Sequence, residues 1–579
     1  MKKLTIKRIH YLFSLFLAIV VLASCKKSFL EKPPTDSIVD ANFYKSDDQL
    51  AAASALLYNK VWFDYNENPA FSFGDIRAGT AFRGYNERGN VEFNTTDITP
   101  ENRRAWSALF VVVGQSNLLI ANVNRYAGPA VSEKAKKTTI AEARFMRAVA
   151  YRYLVMNWGE VPIIENNLDL LNDPTIKKNT VKSIWKFLTR EMRAVAEDLP
   201  LEREPGRVTK WSAEGMLARF YLTRAGVEAN GAVRNQVFLD SAKYYAQRVI
   251  TQSGKELKTN YADLFKYPYD NNEESLFELQ WVFMPGNAGY GYGNGAVSHF
   301  NPSGEISTEG WGGDKAATWW MLSLYEGITA SGDTMLSGRT LDQRLKATFM
   351  FPGFVYDEIT RTYVPSGSSA KVDQKPYVVP YTNDAQRNFA NIKKYCIGQG
   401  KDFGIPTIEP QRYPNNTYMM RLAEMYLIYV EATLGNNVST TDATAVQYFN
   451  MIRNRAGLPN YADPQTGTPL PITLDAILNE RFKEFAVEAM AWYDLVSLHY
   501  WNKQKAYNIL NSQDRGFYWI EPDVRNAPAS NWVIKKTPWA NPPANPRLIN
   551  AHDGNFRIPI PSVEMAQAPW LNEPAVDYP

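Results

Sequence analysis

Two glycine-punctuated stretches hold the side chains best suited to gripping a ligand. The first carries Asp75, Arg77, Phe82, Arg83, Tyr85, Asn86 and Arg88 between Gly74, Gly79, Gly84 and Gly89. The second sets Trp281, Tyr290, Tyr292, His299, Phe300 and Trp311 around Gly286, Gly289, Gly291, Gly293 and Gly295. Aromatic faces pack on the C–H faces of sugar rings, while Asp, Asn and Arg replace the hydrogen bonds that hydroxyls lose on leaving water. Glycines at this spacing predict exposed loops. The candidate ligand-binding residues are therefore Asp75, Arg77, Phe82, Arg83, Tyr85, Asn86, Tyr290, Tyr292 and Trp311. Large aromatics also serve as packing residues, so composition leaves both roles open. With 15 Trp and 33 Tyr, and 13% aromatic residues in all, the chain has enough rings for core and surface.

Covalent chemistry has no comparable signature. Gly-x-Ser-x-Gly, His-Glu-x-x-His and phosphate-loop patterns are missing from the sequence, which lowers the expectation of an enzyme. Glycoside hydrolysis needs two carboxyl groups at a set separation, which a sequence does not supply. Glu142, Arg144 and Arg147, like Glu480, Arg481 and Glu484, read as ion pairs between helices. His299, His499 and His552 are scattered and have no thiol nearby, so neither a metal site nor a cofactor is expected.

One residue does predict a covalent event. Lys2, Lys3, Lys7 and Arg8 precede an apolar run from Tyr11 to Leu22, and Leu22-Ala23-Ser24-Cys25 follows as a lipoprotein cleavage site. Residues 1–24 are then a signal peptide, and a lipidated Cys25 begins the mature chain. The run is shorter than the ~20 residues a membrane span needs, so the protein is expected to be anchored by lipid and not to span. Removing the signal takes the formal charge from +3 to −1, which argues against a nucleic-acid partner. The one other cysteine, Cys396, leaves no internal disulfide.

The elements that must position the candidates are mostly helices. Phe145, Ala148, Val149, Tyr153 and Met156 lie on one face of a helix over 141–158 that Gly159 and Pro162 stop. Ala213, Met216, Leu217, Phe220 and Tyr221 predict a second over 210–226, capped by Thr209 and stopped by Gly226. Further helices are expected near 102–126, 181–199, 238–252, 419–434 and 442–456, stacking as tetratricopeptide-like pairs. Residues 255–415 read as loops, short strands and short helices, with Trp319 and Trp320 in a helical core segment. Leu474 to Trp492 carries one apolar stripe and predicts a single long helix over 474–498, capped by Thr473. The expected division is a tether at 25–40 and one domain over 41–579. That domain comprises a helical scaffold (about 41–254 and 416–500), a loop-rich insert (about 255–415) and a C-terminal covering segment (501–579).

Several segments in order resemble one family. They are Cys25 with Phe29-Leu30 and Pro33-Pro34; Trp106 and Asn117; Ala141-Glu142-Ala143-Arg144-Phe145-Met146-Arg147-Ala148 running to Trp158-Gly159-Glu160-Val161-Pro162; and Gly206-Arg207-Val208-Thr209. They continue through Arg421 to Leu427 with Glu431-Ala432, Asn450 to Leu458, Glu480 to Phe485 with Trp492 to Leu495, and Ile558-Pro559-Ile560-Pro561 with Glu564. Together they resemble the SusD/RagB family of outer-membrane nutrient-binding lipoproteins of Bacteroidetes. The resemblance implies a mainly α fold of tetratricopeptide-like helix pairs with an irregular ligand-binding region. It also implies a non-catalytic, surface-exposed lipoprotein that captures an oligosaccharide and passes it to a SusC-like TonB-dependent barrel. Peptide capture, as in RagB-like relatives, and a secreted glycoside hydrolase are the alternatives.

Overall fold

The computed structural model describes residues 43–83, 88–173, 175–286, 289–302, 306, 310–311, 313, 315–330, 335–338, 340–380, 389–516, 518–520, 532–536 and 549–579. The fold is mainly α. Cys25, the signal peptide and the whole tether lie outside the described residues.

Helix α1 (Asp47–Ala55) starts at an N-cap in which the Ser46 hydroxyl accepts from Gln49 N–H. Short α2 (Phe63–Glu67) follows a 3-10 turn at Lys60–Trp62. Then come α3 (Pro100–Tyr126), α4 (Glu133–Trp158), α5 (Val181–Asp198), α6 (Lys210–Val227) and α7 (Gln236–Gln252). After the insert the chain resumes with α8 (Leu422–Leu434) and α9 (Ala443–Arg455). Each helix from α3 to α9 packs on the next, and α7 meets α8 across the long excursion of the insert. The tetratricopeptide-like array is thus continuous in space although broken in sequence.

The expected caps divide. Gly159 ends α4 with φ +75°, a conformation that costs glycine little. Thr209 begins α6 in a capping box with Ser212. Gly226, expected as a stop, instead lies inside α6, where a β-carbon would sit 2.8 Å from Trp501 Cδ1. It is a close-approach residue that lets the C-terminal segment reach the helix.

The single helix expected over 474–498 is two, α10 (Leu474–Glu484) and α11 (Ala491–His499). Between them Val487 and Ala489 take positive φ of 66° and 56°, unusual for residues with a β-carbon. The cause is tertiary: Val487 and Ala489 N–H both donate to the buried Asp75 carboxylate, at 2.9 and 2.7 Å. An apolar stripe cannot reveal a carboxylate that arrives from 400 residues away.

The break also divides the packing. Phe485 and Met490 stay in the scaffold core with the faces of α3 to α9, while Ala486 and Val487 enter a second core built by the insert. That second core surrounds a four-stranded sheet in the order Ala81–Arg83, Lys315–Ala317, Asn391–Ile392, Phe349–Met350, paired antiparallel. Buried ion pairs stitch insert to scaffold. Arg421 bonds Glu274, Glu484 and Glu488, Arg344 bonds Asp342, Glu480 and Glu484, and Arg455 bonds Glu274 and Glu484. Such networks fix geometry more than they add stability, because each charge has first lost its water. Arg144 and Arg147 converge likewise on Glu191, and Arg481 on Asp494.

Candidate functional site

Helix α2 is the platform of the site. Trp62 is fully buried and donates from Nε1 to Leu57 O at 3.0 Å, and Tyr65 is buried with its hydroxyl 2.8 Å from that of Tyr493. With that face held by the core, Phe63, Asp64 and Glu67 face the insert and α3.

The glycine-rich loop lies flat on this face because glycines remove what would block it. A β-carbon at Gly295 would stand 2.8 Å from Glu67 Cγ and 3.1 Å from Phe63 Cε2, and one at Gly293 would stand 2.4 Å from Arg412 Cα. Gly291 combines φ +86° with a β-carbon position 2.7 Å from Lys60 Nζ. Close seating places Tyr290 edge-on to Phe63 at 5.1 Å between centroids. Lys60 donates to Tyr290 O at 2.5 Å and holds its ammonium 4.7 Å from the Tyr292 ring centroid.

One helical turn on, about 6 Å along the axis, Glu67 supports the other aromatic. Its carboxylate accepts from His299 Nε2 at 2.5 Å, and the His299 ring meets the Trp311 ring edge-on at 5.0 Å. Arg104 from α3 and Gln411 also donate to Glu67. Burial alone would raise the Glu67 pKa, but the His299 hydrogen bond and the charges of His299 and Arg104 hold it at about 2. Trp311 N–H donates to Ser298 O at 2.7 Å, and the Ser298 hydroxyl accepts from Gln411 N–H at 2.5 Å. Tyr290 is 50% exposed and Trp311 49% exposed, so each ring has a face against protein and a face in water. Such a surface binds a flat, partly apolar ligand by stacking and offers its polar edges to hydroxyls.

Of the nine ligand-binding candidates, the structure brings Tyr290, Tyr292 and Trp311 together around α2. Asp75 is fully buried and spends its oxygens on Thr80 Oγ1 at 2.8 Å and on the two N–H groups of the helix break. Burial pushes its pKa up to about 6 against those bonds. Phe82 is 2% exposed in the insert core, edge-on to Phe389 at 5.3 Å. Neither can touch a ligand in solution: the loop expected here folds under as a helical turn (Ser72–Ile76) and a buried edge strand. Arg77 is also buried and lines a different cavity, of about 800 Å³, which shares no wall residue with the aromatic patch. Arg83 is in the strand, but its side chain, Tyr85 and Asn86 lie outside the described residues, as does Cys25.

Sequence reasoning missed Lys60, Phe63, Glu67, Arg104 and Gln411, the residues that orient the rings. Phe63 and Glu67 did carry a signal, since i and i+4 share a helix face. It went unread because α2 is only five residues long.

Comparison with known proteins agrees with this architecture. Residues 273–572 match the family described as SusD family, and residues 29–222 the family described as starch-binding associating with outer membrane. A SusD-like protein of Bacteroides ovatus is 34% identical over 568 residues, covering 96% of this chain and 96% of that protein. A crystal structure with xylogluco-oligosaccharide superposes with a TM-score of 0.75 at 32% identity, covering 92% of this chain and 99% of that one. A laminarin binding SusD-like protein shares the fold at a TM-score of 0.63 and 21% identity, covering 90% of this chain and 98% of that one.

Proposed function

Because this chain belongs to the SusD family, we propose that it is a lipid-anchored, outer-membrane glycan-binding protein. It captures an oligosaccharide on the Tyr290, Tyr292 and Trp311 surface and delivers it, uncleaved, to a SusC-like TonB-dependent transporter. The observation that carries this reading is the pair of half-exposed rings, Tyr290 braced by Phe63 of α2 and Trp311 by His299, which Glu67 of α2 holds in turn. Bracing lowers the entropy lost on binding, because the rings are already held where a ligand would need them. A neutral β-glucan of the xylogluco type is the first ligand to test, since a structure 32% identical to this chain was solved with such an oligosaccharide.

Hydrolysis would need a carboxyl group that holds its proton near neutral pH to act as acid. Glu67, the buried carboxylate of the patch, is held at about 2 and saturated by His299, Arg104 and Gln411. The arrangement favours binding without cleavage. Two stacking rings and a few hydrogen bonds correspond to micromolar to millimolar affinity, about −8 to −4 kcal/mol, which suits hand-off to a transporter.

Calorimetric titration of the purified protein with xylogluco-oligosaccharides, laminari-oligosaccharides and peptides tests this. Trp311→Ala and Tyr290→Ala are each expected to weaken glycan binding about 10-fold or more, with no reducing ends released by the parent protein. Unchanged affinity in both variants, or release of reducing ends, would overturn the reading.

A further inference from the structure

The cavity of about 800 Å³ lies between the C-terminal segment, the end of α4 and the chain leading into α3. Its size is that of a small-molecule site. Its charged wall residues are Arg77, Lys178 and Arg557 against Asp97 and Glu160, with Lys178 and Glu160 3.9 Å apart. Trp158 and Phe93 add aromatic surface, and Thr95 and Ser562 add hydroxyls. His552, Gly554, Arg557 and Pro559 are exposed, so the rim opens to solvent.

Arg77 is the unusual wall residue. It is 3% exposed, and among the described residues it has no carboxylate partner. Its guanidinium rests against Phe93 and Trp492, 4.6 and 4.9 Å from their centroids, with the two rings side by side 5.7 Å apart. Phe93 itself is held at φ +57°, a strained conformation for a bulky residue and one that persists where surroundings impose it. A guanidinium has five N–H donors. Here Nη2 donates to Asn555 O at 2.6 Å, Nη1 reaches Asn90 Oδ1 only at 3.4 Å, and Nε has no partner. The neighbouring Arg515 is also buried and, among the described residues, bonds neutral acceptors alone, the Arg77, Val91 and Gln513 oxygens. Burial lowers the pKa of each to about 9. Two buried cations with no counter-charge among the described residues are costly, and Arg77 at the cavity wall spends one bond each from Nη1 and Nη2, which leaves N–H donors for an anion.

We propose that this cavity is a second saccharide subsite, selective for a sugar unit bearing a carboxylate, with Arg77 as the group that binds the carboxylate. The aromatic and hydroxyl-bearing wall accepts the ring of a uronic acid, and the guanidinium edge supplies the charge-assisted bonds. The subsite shares no wall residue with the aromatic patch and does not depend on it.

The test is titration of the purified protein with D-glucuronate, D-glucose and acetate, followed by saturation-transfer NMR and calorimetry. Glucuronate is expected to bind about 10-fold or more tighter than either control. Arg77→Gln should abolish that preference, and Trp311→Ala should leave it intact. Since Arg77→Gln could fail to fold, Met565→Trp, which fills the cavity from a partly exposed wall position, should also abolish it in a protein of normal circular dichroism. Equal binding of glucuronate and glucose, or of acetate and glucuronate, would overturn the proposal. So would a preference that survives Met565→Trp or vanishes in Trp311→Ala; in the latter case the acid sugar sits on the aromatic patch.

Discussion

The stretches at 74–89 and 286–313 share a composition of glycine, aromatics and polar residues, yet their described residues differ in burial, Asp75 and Phe82 being inside and Tyr290 and Trp311 half in water. The described part of the first is drawn inward, with Asp75 bonded by the interrupted backbone at 487–489 and Phe82 buried on an edge strand against Phe389. The second is laid over α2 from outside, leaving Tyr290 and Trp311 about half in water. The difference lies in what each stretch meets. A carboxylate that finds three donors can be buried, whereas rings that find only one supporting face remain at the surface.

This contrast can be broken from either side. The largest effect is expected for Phe82→Ala, about 4 kcal/mol of stability by the usual cost of emptying a buried aromatic site. Urea unfolding would measure it, and affinity of the folded fraction for glycan should be unchanged; a loss of affinity without a loss of stability would put Phe82 in the binding surface. Next is Asp75→Ala, about 3 kcal/mol, because the Val487 and Ala489 N–H groups are left buried without an acceptor. An unchanged thermal midpoint would mean that Asp75 does not hold the helix break.

The smallest effect sharpens the outer region. The Glu67 carboxyl has a folded pKa of about 2, below its ordinary value of 4.5. Its ionised form therefore stabilises the fold above about pH 4.5, and that contribution is lost as pH falls toward 2. Glu67→Gln should be less stable at neutral pH by about 1 to 2 kcal/mol and should show a shallower decline between pH 4.5 and 3. Parallel acid limbs in the two proteins would mean that the pairing with His299 and Arg104 adds nothing.

Much of the scaffold was legible because helices are written locally. The face that includes Phe145, Val149 and Met156 located α4 and its end, though not its first two turns from Glu133, and Thr209 marked the start of α6. The reading failed where a remote partner intervened, at Val487 and Ala489 under Asp75 and at Gly226 under Trp501. In the candidate site, Tyr290, Tyr292 and Trp311 were legible as ring-bearing loop residues. Their supports were not, because Lys60, Phe63 and Glu67 lie more than 220 residues earlier, in a 3-10 turn and a helix too short to show periodicity.

The sequence by itself determined the helical scaffold and the family, because hydrophobic spacing, caps and ordered segments are properties of neighbouring residues. Only the tertiary structure decided which aromatic stretch faces water, where the long apolar stripe breaks, and that Arg77 lines a cavity with no carboxylate paired to it among the described residues. Those outcomes depend on which donors, rings and charges distant segments bring together, and burial is settled by that meeting.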